Sequence, residues 1–170
     1  MFLVRKIGKA KWNIDRNVKK DLDFHQIPAD AVTADLRTSK NTLSFWRSET
    51  EADLDNAVLA IVANRERIDP IDFIWLKYQE LEDDGYSFEE SEGQTPVIDL
   101  VDQHVDITSL DYYQLGKIAK RVMNAIEEKR WSRLNKNKVK NLLQTALDEG
   151  RIDYKRVNEK LRQCKELNFM

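Results

Sequence analysis

The chain has 170 residues, of which 41% are hydrophobic and 34% charged, with a formal net charge of -2. That length can bury one core, and 5 Gly and 3 Pro argue against long disordered linkers. A single cysteine, Cys164, excludes an internal disulfide, and one Cys with two His cannot build the common Cys/His zinc sites.

The opening "MFLVRKIGKAKW" places its short apolar run before its bases, the reverse of a secretory signal. No stretch reaches the roughly 18 apolar residues of a membrane helix. The expectation is therefore a cytoplasmic chain with no membrane partner.

"FLVRKI" reads as a strand with a basic solvent face, and "IPADAVTADL" as a short helix with Pro28 in its first turn. "NTLSFWRS" alternates as a half-buried strand does. In "SETEADLDNAVLAIVAN" the residues Leu54, Ala57, Val58, Ile61 and Val62 share one helical face, with capping-box spacing at Ser48/Glu51 and Thr50/Asp53. "IDFIWLKY", rich in β-branched and aromatic residues, predicts the central strand. "QELEDDG" predicts an acidic turn or short helix, and "YSFEE" an edge strand whose charges discourage further pairing.

"GQTPVIDLVDQHVDI" reads as a helix, with Thr95 as N-cap and Pro96 in its first position. Val97, Leu100, Val101 and His104 then share a face, which makes His104 a core residue with Asp106 near enough to orient its ring.

From about residue 108 the pattern becomes uniformly helical. One helix carries Leu115, Ile118, Ala119, Val122, Met123 and Ile126, and a second Val139, Leu142, Leu143, Ala146 and Leu147, closing at Gly150 as a left-handed C-cap. A third, capped by Asp153, carries Val157, Leu161 and Cys164, so Cys164 reads as a small apolar residue rather than a nucleophile. The expected fold is α+β: an acidic mixed α/β domain over residues 1–107 with a basic first strand, then a basic three-helix bundle over 108–170.

Charge is segregated along the chain: residues 1–20 carry +6, residues 21–110 carry -15 and residues 111–170 carry +7. The plainer consequence is internal neutralisation, and the sharper one is an end that faces an acidic partner. On a helix extended back from Val139, Arg133, Lys136 and Lys140 fall within about 60° of one another beside the apolar stripe, with Trp131 at the preceding junction. These four are the candidate binding residues.

No Walker loop, GxGxxG, nucleophile elbow or HExxH occurs, and no carboxylate pair stands out by spacing. The sequence points to no catalytic residue, metal or cofactor. It favours a non-catalytic protein-binding or regulatory module, such as an accessory, inhibitor or antitoxin-like subunit of a bacterial system, acting on another protein or a second copy of itself. A nucleic-acid-associated role for the basic C-terminal helices is the alternative. A small enzyme using His104 with Asp106 or His25 is the third reading.

Overall fold

The computed structural model describes residues 1–12 and 27–168, so His25 lies outside the described residues. Six strands form one sheet: β1 (Phe2–Ile7), β2 (Leu43–Ser48), β3 (Ile71–Lys77), β4 (Ser87–Glu90), β5 (His104–Thr108) and β6 (Trp131–Leu134). Their order is β4-β5-β2-β1-β3-β6, and every neighbouring pair is antiparallel. The helices are α1 (Ala29–Asp35), α2 (Leu54–Ala63), α3 (Tyr78–Asp83), α4 (Tyr112–Glu127), α5 (Lys136–Asp148) and α6 (Glu159–Arg162).

Strand alternation sends successive side chains to opposite faces. On β3, Ile71, Phe73 and Trp75 meet α2, α5 and α6, while Ile74 and Leu76 meet α1 and α4. On β2, Trp46 joins the first group and Leu43 and Phe45 the second. The sheet is therefore the middle of three layers with a core on each side. Helix α2 packs on the sheet and against α5 beside it, so Leu59 and Ala60 are buried beside the expected stripe and Ile61 is only half-buried.

Residues 108–170 do not form the expected three-helix bundle. The segment after α4 turns into β6, which extends the sheet beyond β3. Consequently α4 and α5 cover opposite faces, and each core draws side chains from both sides of Thr108. The expected third helix is broken: a 3-10 turn at Tyr154–Arg156 ends at Val157, and the Asn158 side chain then caps α6 by accepting from the Lys160 amide at 2.9 Å. Gly150, at φ 70, follows α5 in the left-handed conformation expected of it.

Other local readings are also revised. The strand β3 is interior but not central, because β1 and β2 occupy the middle of the sheet. Neither capping box before α2 forms; Ser48 Oγ bonds the Thr50 carbonyl and Thr50 Oγ1 bonds Asp53 Oδ2. The 93–107 segment is a 3-10 turn at Ile98–Gln103 followed by β5, not one helix. Val105 and Ile107 are β-branched and alternate with Asp106, and β2 offers a partner edge, so a strand prevails over the helical spacing of Val97, Leu100 and Val101.

Part of the segregated charge meets inside the molecule. Arg121 pairs with Asp84 and Glu80, Arg130 with Glu80, Arg133 with Asp72, Arg151 with Asp99 and Lys160 with Glu66. In each case a base of the C-terminal part meets an acid of the middle part, so the two fasten to each other. No helix among the described residues is long and apolar enough to cross a membrane.

A candidate binding cleft and a histidine brace

The predicted ridge does not assemble. The helix α5 starts at Lys136, with Asn135 as its N-cap accepting from the Lys138 amide at 2.9 Å, so Arg133 belongs to a strand. Trp131 and Arg133 have the same parity on β6 and face the α4 side, whereas α5 lies on the other side of the sheet. Arg133 reaches Asp72 at 3.3 Å, Lys136 reaches Glu166 at 2.6 Å, and Lys9 sits over the Trp131 ring at 5.1 Å. Lys140 is half-buried on α5.

His104 opens β5 opposite Trp46, and their rings meet edge-on at 5.1 Å. Its Nδ1 lies 2.8 Å from Ser91 Oγ, and that hydroxyl donates to Asp106 Oδ2 at 2.9 Å. Ser44 Oγ donates to the other Asp106 oxygen at 2.6 Å. With the Ser91 proton committed to Asp106, Nδ1 is the donor to Ser91 and Nε2 carries the lone pair. Burial holds the His104 pKa below its usual value; the Asp106 charge and a hydrogen bond to the Ser91 backbone oppose that shift and Arg5 adds to it. The sequence pairing of His104 with Asp106 is thus realised, but through a serine, as the direct separation is 4.0 Å. The chain Ser44–Asp106–Ser91–His104 ties β2 and β5 to the segment after β4.

A larger concavity lies on the same face of the sheet, towards the opposite edge. This cleft of about 640 Å³ has Phe73 and Trp75 of β3 and Ser132 and Leu134 of β6 as its floor. Glu51, Ala52, Leu54 and Asp55 form one wall; Lys138, Asn141, Leu142 and Thr145 form the other, one stripe of α5 at helical spacing. Phe73 and Trp75 pack with ring centroids 5.9 Å apart, and Trp75 Nε1 donates to Glu51 Oε1 at 3.3 Å, which holds that carboxylate at the edge of the floor.

The cleft borders the free edge of β6. The Trp75 amide bonds the Arg130 carbonyl at 3.2 Å, which points that carbonyl at β3, while the Arg130 amide bonds the Ala125 carbonyl. Alternation then turns the amide and carbonyl of Trp131 and Arg133 outward, and no described strand pairs with them. Sequence reasoning missed this site. Lys138 and Asn141 belong to the polar face of α5, but only the sheet brings them opposite Glu51, Asp55 and Trp75. The aromatic pair at 73 and 75 was the one signal in the sequence.

Among the described residues, no group of three or more His, Cys, Asp or Glu side chains is arranged to hold a metal ion. No family model matches the chain, and neither a curated protein nor a solved structure matches it significantly.

Proposed function

We propose that this chain is a non-catalytic protein-binding module, an accessory or inhibitory subunit that receives an extended segment of a partner protein along β6. The observation that carries the reading is the outward-facing backbone of Trp131 and Arg133 beside a large cleft on the same strand. A strand added there gains main-chain hydrogen bonds from the edge, and its alternate side chains enter the cleft. The internal pairing of the C-terminal bases supports a protein partner over nucleic acid, since Arg133 and Lys136 each already hold a carboxylate. A phosphate backbone would have to displace those pairs.

The test is selection of binders from a displayed random-peptide library, followed by amide chemical-shift mapping. Selected peptides should shift the Trp131 and Arg133 amides. Arg133→Pro removes an outward donor, which an edge strand tolerates, and should weaken binding at least about tenfold with an unchanged circular dichroism spectrum. Peptides that map only to other surfaces would overturn the proposal. So would tight duplex or single-strand binding with a steep salt dependence, lost on reversal of Arg133, Lys136 and Lys140 to Glu.

A further inference from the structure

Resting on that reading, we infer that the partner segment carries an arginine into the cleft. The walls differ in charge: Glu51 and Asp55 stand on one, and Lys138 is the single base on the other. Exposed Glu49 and Asp53 lie beside the acidic wall in the chain and add to its field. By contrast, Glu66, Asp72, Glu80, Asp84 and Asp99 of the middle region each meet a base of the C-terminal part. Among the described residues Glu51 and Asp55 form no ion pair with a base, so the cleft is left net negative.

The remaining lining fits the rest of an arginine side chain. Half-buried Leu134 and Leu142 offer apolar surface for an aliphatic stem, while Asn141, Thr145 and Ser132 add side-chain acceptors for N–H groups. The Trp75 indole pins Glu51 Oε1, and Glu51 Oε2 and the Asp55 carboxylate remain to accept from a planar guanidinium, whose fork holds five donors. An acidic side chain would meet Glu51 and Asp55 with like charge. An aliphatic one would leave both carboxylates without a partner.

The experiment uses two extended peptides of alternating Thr and Val that differ only at one central residue, arginine in one and its neutral isostere citrulline in the other. The full-length protein is titrated with each, and the indole N–H resonance of Trp75 and the amide of Arg133 are followed. The arginine peptide should shift both resonances and bind at least about tenfold more tightly than the citrulline peptide. Glu51→Gln combined with Asp55→Asn should erase that preference without changing the melting temperature, and Lys138→Gln should enlarge it. Equal binding of the two peptides at the β6 edge would overturn the arginine inference and leave the strand-addition reading standing. Shifts at neither resonance, with either peptide at millimolar concentration, would overturn both. An arginine preference that survives in the double variant would also overturn the inference, because it would place the cation elsewhere.

Discussion

Two polar assemblies share the α2 side of the sheet, one at the β5 end and one at the β6 end. At the β5 end, Ser44, Asp106, Ser91 and His104 satisfy one another, with Asp106 accepting on both oxygens. At the β6 end, Glu51, Asp55, Lys138 and Asn141 are spread around a cleft, and the one side-chain bond there runs from Trp75 to Glu51. A half-buried polar group left without a partner costs stability, so the first assembly is closed on itself and contributes to the fold. The second leaves its groups in solvent, where they are cheap to keep and available to a ligand. Both are rich in polar residues, and what separates structural from binding roles is where the hydrogen bonds go.

That contrast can be broken first at the cleft's foundation. Leu143 is buried on the inner side of α5 against α2, one residue from the wall residue Leu142. Leu143→Ala should cost about 2–5 kcal/mol in urea unfolding. Both layers should still be lost in a single transition, since each core includes residues from either side of Thr108. Two separate transitions would show that residues 1–107 and 108–170 unfold as separate units.

At the closed end, Gly93 lies against Trp46: a Cβ there would sit 2.2 Å from the indole and 2.9 Å from the His104 Cβ. Gly93→Ala should therefore cost about 1–3 kcal/mol, the usual range for overpacking, and should perturb the His104 ring resonances. An unchanged unfolding midpoint would mean that the brace is loosely packed.

A smaller effect should follow from Asp106→Asn, about 0.5–1.5 kcal/mol, because the amide retains only one acceptor oxygen for two serines. Asp106 holds the His104 pKa up against burial, so this variant should lower it further, as read by ring-proton titration. The pH dependence has a definite sign. The folded imidazole sits below its usual 6.5, so as pH falls through that value the unfolded chain takes up the proton first. Stability should therefore decline as pH drops from about 7.5 to about 5.5, and His104→Gln should flatten that part of the profile. A wild-type profile that is flat there would show the ring to be solvated.

The smallest change belongs to the open end. Glu51→Gln should alter stability by no more than about 0.5 kcal/mol, since the side chain is exposed and the replacement can still accept from Trp75. A larger loss would place Glu51 in a structural network like that of Asp106 and would erase the contrast between the two ends.

Much of the local structure was legible. The strands "FLVRKI" and "NTLSFWRS", the stripe of α2, the acidic edge β4 and the stop at Gly150 follow from alternation, helical period and turn chemistry. His104 was misplaced because Val97, Leu100 and Val101 happen to have helical spacing, and the competing alternation of Val105 and Ile107 is only a few residues long. "WSRL" carries too short a pattern to announce β6, and by itself it reads as the lead-in to a helix. The error in one four-residue strand had a large consequence: without β6, α4 and α5 read as neighbours in a bundle instead of the two outer layers of a sandwich.

Local periodicity determined which residues are apolar-facing within each element, because that depends on spacing along the chain alone. The charge segregation was equally plain in the sequence, and its internal neutralisation was the plainer expectation. Which acid meets which base was decided by the sheet, since pairs such as Arg151 with Asp99 and Lys160 with Glu66 join residues far apart in the chain. Only the tertiary structure made the cleft. Its floor, its acidic wall and its α5 wall come from separate stretches of sequence, none of them unusual alone. They become a site because antiparallel pairing of β6 with β3 carries α5 back over the same face that α2 already covers.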